Sequence, residues 1–233
     1  MELDISSAAF WLAVGQIILI DIVLSGDNAV VIALACRNLS PAQRRQGILW
    51  GVAGAVSLRV VLTVFAALVM NLPWLKFAGG LLLLWIAIKL MLPEDEEGHD
   101  IEPSAHLWGA VKTIVVADFV MSLDNVIAVA GAAHGSLLLL LFGLAVSIPL
   151  IVWSSQLILH GMERFPSIVL FGAGLLGYVA GQMIFSDPGV TGLLPPLPAW
   201  SAKAAGAAGA LLVVAVGRWL EQRILARQDV TIV

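Results

Sequence analysis

Apolar residues run along this chain in seven long stretches, near positions 8–36, 46–70, 74–92, 107–132, 136–160, 166–186 and 199–221. Crossing the hydrocarbon of a bilayer takes about 20 helical residues, and each stretch is near or above that length. Only helices and closed barrels satisfy their backbone in lipid, and runs this long and uniformly apolar are helices. Turn-forming residues stand between them: Asn38-Leu39-Ser40-Pro41, Pro93 and Pro103, Phe165-Pro166, and the Pro195-Pro196-Leu197-Pro198 run. The faintest break is the short connector Asn71-Leu72-Pro73. The pattern predicts an all-α, polytopic membrane protein of seven transmembrane helices.

Composition agrees with that pattern. The 233 residues are 60% hydrophobic and 12% charged, whereas a soluble domain carries about 25% charged residues. Ordinary burial cannot hide so much apolar surface, so lipid must be the solvent. Cys36 stands alone, which excludes an intrachain disulfide framework and a thiolate metal cluster. No basic cluster with interleaved aromatics points to nucleic acid. The first stretch follows Glu2 and Asp4 rather than a basic segment and shows no obvious cleavage site. It is therefore read as the first span and not as a removable signal peptide.

The positive charges give the chain a direction. With seven spans, one side of the membrane holds the N-terminus and the 2–3, 4–5 and 6–7 loops, with Lys76 and Lys203. The other side holds Arg37, Arg44, Arg45, Lys89, Arg164, Arg218, Arg223 and Arg227. The positive-inside rule places that second side, with the C-terminus, in the cytoplasm and the N-terminus outside. Residues 93–106 then form an acidic cytoplasmic loop that carries His99 and His106. It is read as a solvated acidic loop, with a weak metal-collecting role as the alternative.

Polar residues inside the apolar stretches carry the candidate chemistry. Residues 21–28 read DIVLSGDN and residues 118–125 read DFVMSLDN. Asp21, Ser25, Asp27 and Asn28 thus recur as Asp118, Ser122, Asp124 and Asn125. The likeness continues through Ala55-Val56-Ser57-Leu58 against Ala145-Val146-Ser147-Ile148, and through FAGGLLLL (77–84) against FGAGLLGY (171–178). Three helices match three helices in order. Three is odd, so the second set enters the membrane inverted, as in many secondary transporters. The expected architecture is a 3+3 inverted-topology repeat plus one C-terminal helix. Its parts are 1–92 (first repeat), 93–106 (loop), 107–186 (second repeat) and 187–233 (seventh helix and tail).

A charged Asp at the centre of a membrane helix costs about 2.5–3.5 kcal/mol. Asp21, Asp27, Asp118 and Asp124 therefore require compensation. Asp, Asn and Ser offer hard oxygen donors suited to Mg2+, Ca2+ or Mn2+, and the absence of Cys and His from both motifs argues against a dedicated Zn2+ or Cu+ site. The candidate ligands are Asp21, Asp27, Asn28, Asp118, Asp124 and Asn125, with Ser25 and Ser122 as helpers. At about 100° per residue Asp21, Ser25 and Asn28 share one helix face, while Asp27 lies about 120° away. Convergence of all of them requires a local break, for which Ser25-Gly26 is the natural place. Leu123 stands where Gly26 does, so the first copy is expected to be the more distorted. In the alternative arrangement Asp27 and Asp124 bind the ion while Asp21 and Asp118 carry protons.

Arg59 is the basic residue deepest within a span, and Pro149 takes its place in the second repeat. It is read as a counter-ion to the acidic motifs rather than as an arginine reaching for the interface. The carboxylates outweigh one divalent ion, which suggests that metal movement is coupled to protons. Gln156 and His160, one turn apart on span 5, line a pathway or bond between helices. Lys89 and Lys112 are topology anchors, and the glycines at 77–80, 172–181, 206 and 209 signal close helix packing.

The segments DIVLSGDNAVVIAL and ADFVMSLDNVIAVAGAAHG resemble the two signature regions of the TerC family of integral membrane proteins, in its YjbE-type branch. The resemblance covers residues 8–186 and span 7 follows as expected. It implies a bacterial cytoplasmic-membrane protein that exports Mn2+, related to tellurium-resistance proteins, with some members linked to metal delivery to secreted enzymes. The residues it carries over are Asp21, Asp27 and Asn28 with Asp118, Asp124 and Asn125. The oxygen-rich chemistry is read from the residues; manganese comes from the resemblance.

The leading expectation is a carrier, not an enzyme, with Mn2+ as transported substrate and no tightly bound cofactor. Its partners are a divalent ion and the bilayer, without nucleic acid, and a homodimer is compatible with the chain. The alternatives are exchange of Ca2+ or another cation, a non-transporting accessory for metalation of secreted enzymes, and, ranked last, an intramembrane aspartyl protease. The last needs two carboxylates sharing a proton and leaves the second Asp pair and both Asn residues unexplained.

Overall fold

The computed structural model describes residues 8–24, 26–65, 72–92, 103–132, 137–193, 198 and 200–231. Regular structure in these residues is helical throughout: α1 (Ala8–Leu24), α2 (Gly26–Cys36), α3 (Pro41–Val64), α4 (Leu75–Met91), α5 (Pro103–Ala132), α6 (Leu137–Arg164), α7 (Ser167–Ser186), α8 (Pro188–Leu193) and α9 (Trp200–Thr231). Among the described residues five helical segments are long and apolar enough to cross a bilayer: Pro41–Val64, His106–Leu123, Leu138–Arg164, Ser167–Ser186 and Trp200–Ala226. The chain is therefore an all-helical membrane protein with several such helices.

Several boundaries differ from expectation. The stretch 8–36 is described as α1 and α2, with Ser25 outside the described residues, so the anticipated break at Ser25-Gly26 falls where nothing is described. Helix α4 has 17 residues, about 26 Å at 1.5 Å per residue, a little short of a hydrocarbon layer. Helix α5 starts at Pro103, inside the expected acidic loop, because proline suits a first helical turn whose amides lack intrahelical partners. The rest of that loop, including His99, lies outside the described residues. Helix α9 continues past position 221 to Thr231, since Glu, Gln, Arg, Leu and Ala are strong helix formers with or without lipid. Helix α8 was not anticipated.

Two compact units make up the chain. The first is Met1–Asn71 with Ser104–His160, and the second is Leu72–Pro103 with Gly161–Val233. In the first, Phe10, Val14 and Ile17 of α1 bury themselves against Leu139, Leu140 and Leu144 of α6. A Cβ on Gly143 would stand 2.5 Å from Ile17 Cγ2, so glycine lets these two helices approach. On α3, Gly51 receives Ile114 and Gly54 receives Val115, both from α5. The turn from α2 to α3 is tied by Arg44, whose Nε donates to the Leu39 carbonyl at 2.8 Å and whose Nη2 donates to the Arg37 carbonyl at 2.7 Å. These carbonyls follow the end of α2, where no further helical amide can reach them.

The second unit is built on backbone approach. Helices α7 and α9 run antiparallel, with Gly177 against the Gly209 carbonyl and Gly181 against the Ala205 carbonyl. A Cβ on Gly80 of α4 would lie 2.9 Å from the Ala180 carbonyl of α7. Small residues at membrane helix contacts allow this spacing, and dispersion then acts over the whole length of the helices. At one end of the unit Trp74 adopts a left-handed φ of 69° ahead of α4.

Candidate functional site

Three helices of the first unit present polar side chains to one another. Helix α3 contributes Val52, Ala55, Val56 and Arg59, which fall on one face at spacings of three, four and seven. Helix α5 contributes Ile114 and Asp118, with Ser122 one turn further on, and α2 contributes Asn28 and Ile32. Asn28, Ile32, Ala55 and Asp118 border two adjoining small cavities; Val52, Val56, Arg59 and Ile151 of α6 complete one, and Ile114 lines the other. Once the walls are allowed their van der Waals thickness, each has room for roughly one water-sized body.

Arg59 and Asp118 form an ion pair, Nη2 to Oδ1 at 2.7 Å. Arg59 Nε donates to Ser122 Oγ at 3.2 Å, and Ser122 Oγ donates to Asp118 Oδ2 at 3.2 Å. Both carboxylate oxygens are thus engaged. All three residues are buried, with Arg59 3% and Asp118 6% exposed. Thr63 Oγ1, one turn along α3, donates to the Arg59 carbonyl at 2.7 Å. Asn28 is also buried, 4% exposed, yet among the described residues neither its Oδ1 nor its Nδ2 has a hydrogen-bond partner. An unsatisfied buried amide costs about 1–3 kcal/mol, and both cavities open onto this one.

The remaining motif residues are placed less compactly. Asp27 is half-buried and within electrostatic reach of Arg59 and Asp118. Its Oδ1 accepts the Asn28 backbone N–H at 2.9 Å. The second copy of the motif is regular: α5 runs unbroken from Pro103 to Ala132, so its register sets Asp124 about 120° from Asp118. Asn125 is half-buried about 10 Å along the axis from Asp118 and borders neither cavity. The side chains of Asp21 and Asp124, and the whole of Ser25, lie outside what is described. Among the described residues no three His, Cys, Asp or Glu side chains gather closely enough to hold a metal ion. The described cluster is one carboxylate, one guanidinium, one hydroxyl and one orphan amide, with a second carboxylate nearby. Gln156 and His160 are exposed on α6.

One prominent polar residue was missed in the sequence. Asp187, buried between α7 and α8 in the second unit, accepts the backbone N–H groups of Trp74 at 2.9 Å, Phe77 at 3.1 Å and Gly189 at 2.6 Å. It caps the start of α4 from another helix and the start of α8 from its own sequence. Burial pushes its pKa up, but the backbone N–H groups of Trp74, Phe77, Gly189 and Val190 outweigh that and hold it below the ordinary carboxylate value. Asp before Pro188-Gly189 was a readable cap for a short helix; the link to α4 was not readable locally.

Comparison with known proteins gives the chain its relatives. It is 48% identical to the uncharacterized membrane protein YjbE of Bacillus subtilis over 168 residues, 72% of this chain and 77% of that protein. It is 28% identical to the UPF0053 inner membrane protein YgdQ of Escherichia coli over 195 residues, 76% of this chain and 81% of that one. The uncharacterized membrane protein YceF of Bacillus subtilis is 26% identical over 182 residues, 74% of this chain and 70% of that protein. No solved structure matches significantly. The family model for the integral membrane protein TerC family matches residues 6–225, so the chain belongs to the TerC family of integral membrane proteins.

Proposed function

We propose that this protein carries a divalent metal cation, Mn2+ foremost, out across the cytoplasmic membrane. The observation that supports this most is Asn28: a buried amide with no hydrogen-bond partner among the described residues, facing two small cavities that Asp118 also lines and one that Arg59 lines. Native proteins leave few buried polar groups unsatisfied, and those they keep call for a partner from outside the fold. An amide oxygen beside carboxylate and hydroxyl oxygens is a donor set for a hard cation. Ionisable residues at membrane depth mark transport paths by default. In this reading α1 and α2 together form one span and α4 a shorter one. Seven spans result, with the N-terminus outside and the C-terminus in the cytoplasm. The inverted duplication is supported by the repeated motif and by the pairing of α4 with α7, the third helices of the two repeats.

Asp27 of the first repeat and Asp118 and Asp124 of the second are the anionic ligands in this proposal, with Asn28 and Asn125 as neutral ones and Asp21, Ser25 and Ser122 in support. The Arg59 pair on Asp118 disfavours an aspartyl protease, whose two carboxylates must share one proton. The test is flux into liposomes containing the purified protein, comparing Mn2+, Ca2+, Mg2+ and Zn2+. Mn2+ flux is expected, lost in Asp27→Asn and Asp124→Asn, and responsive to an imposed pH gradient. No Mn2+ flux from folded protein sinks the carrier reading. Flux of Ca2+ alone changes the ion, Mn2+ binding without flux favours an accessory role, and indifference to the gradient removes proton coupling.

A further inference from the structure

The Arg59–Asp118 pair and an ion on Asp118 exclude each other. Oδ1 is held by the guanidinium at 2.7 Å and Oδ2 by Ser122 at 3.2 Å, so an ion that binds either oxygen crowds one of these donors. It cannot displace Ser122 alone, because a guanidinium left on the neighbouring oxygen would repel it at short range in a low-dielectric setting. Space leads to the same result. The cavities beside Asn28 hold roughly one water-sized body each, too little for a cation that keeps part of its hydration shell, as Mg2+-like ions do. The volume now filled by the guanidinium is contiguous with them, since Arg59, Asp118 and Asn28 border the same cavity. Position 149, the counterpart of Arg59 in the second repeat, is proline, so this repeat offers no equivalent cation there.

We propose that Arg59 is a tethered cation that alternates with the transported ion on Asp118, holding the carboxylate whenever the ion is away and leaving it when the ion arrives. This rests on the carrier reading above. A buried pair is poor support for stability in itself, whereas a mobile positive charge gives the ion-free carrier a compensated carboxylate with which to return across the membrane. Arg59 then competes with the ion, and its removal tightens binding.

The experiment uses the full chain in lipid nanodiscs with Mn2+ as the added ion, and compares wild type, Arg59→Gln, Arg59→Lys and Arg59→Gln/Asp118→Asn. Binding is read from the loss of the free Mn2+ paramagnetic signal, and stability from Tm with and without Mn2+. If Arg59 holds the site nine-tenths of the time, Arg59→Gln tightens apparent Kd about tenfold. Its Tm without Mn2+ falls, and the rise on adding Mn2+ exceeds that of wild type. The double variant recovers Tm and binds no Mn2+. Where Arg59→Gln does not yield folded protein, Arg59→Lys decides, because an ammonium lacks the guanidinium fork and gives up Asp118 more readily. Tighter binding in Arg59→Lys supports the proposal. Unchanged or weaker binding in folded Arg59 variants overturns it, leaving a structural ion pair while the carrier reading stands. Wild type that neither binds nor moves Mn2+ is a different result: it removes the carrier reading, and this inference with it.

Discussion

In the unit formed by α1, α2, α3, α5 and most of α6, helices meet through side chains and leave gaps. Those gaps are lined by Asn28, Arg59 and Asp118, with Ser122 bonded to the last two. In the unit formed by α4, α7, α8 and α9, glycines bring backbone against backbone. Among the described residues its one buried polar side chain is Asp187, at the end of α7 rather than along a helix face. Gly177, Gly181 and Gly209 leave no room between α7 and α9 for a side chain, let alone an ion. The difference teaches where adjustment is possible. Side-chain contacts around a cavity can be exchanged by rotamer changes, but interlocked backbones must separate before anything moves. The first unit has the properties of a site, and the second those of a frame.

The sharpest break of this comparison is to remove one member of the buried pair. Asp118→Ala takes this carboxylate away from the buried Arg59 guanidinium and should cost up to about 3–5 kcal/mol, together with all Mn2+ flux. Replacing both, as Arg59→Met with Asp118→Leu, should recover most of that stability without restoring flux. Denaturant titration in micelles alongside liposome flux measures both. If Asp118→Ala is as stable as wild type, the pair is solvated and the contrast between the units fails.

A smaller effect is expected in the frame. Gly181→Ala sets a methyl group into the Ala205 carbonyl and should cost about 1–3 kcal/mol through overpacking. Gly109→Ala on α5 meets nothing within 4 Å and should be neutral or stabilise by up to about 1 kcal/mol. Equal outcomes for the two glycines would show that the α7–α9 contact is looser than it is drawn.

Asp187 adds a pH signature to the same unit. Asp187→Ala should cost about 1–2 kcal/mol, as loss of a helix cap does. Because the folded pKa lies below the ordinary carboxyl value of 3.8, unfolding takes up a proton in acid. The stabilisation is therefore complete above 3.8 and disappears as pH falls through the lowered value. Acid unfolding of wild type and Asp187→Asn compared side by side should show that component in wild type alone.

These effects were unequally legible in the sequence. The helices, the glycine contacts and the importance of Arg59 followed from apolar runs, small residues and one misplaced charge, all local signals. Asp118 as a partner of Arg59 did not follow, because Asp21, Asp27, Asp118 and Asp124 are equally acidic on paper and only packing shows which side chains meet. Asp187 escaped for a similar reason, since its partners Trp74 and Phe77 lie more than a hundred residues away. The expected gathering of both motifs at one point needs a break at Ser25-Gly26, and Ser25 lies outside the described residues, while α5 is unbroken through Asp118 and Ser122.

The gentlest test separates function from stability at one side chain. Asn28→Leu replaces an orphan amide with a hydrocarbon of similar size beside Ile32, Val52 and Ala55. The unsatisfied amide is removed, so stability should rise, by up to about 1 kcal/mol once imperfect packing is allowed for. Flux should vanish at the same time. A residue kept for packing would behave in the opposite way, losing stability on substitution while sparing transport. A rise in stability with loss of Mn2+ flux would mark Asn28 as a ligand retained at a structural cost. A fall in stability would mean that Asn28 has a hydrogen-bond partner, such as ordered water, and belongs to the frame's kind of packing rather than to a site.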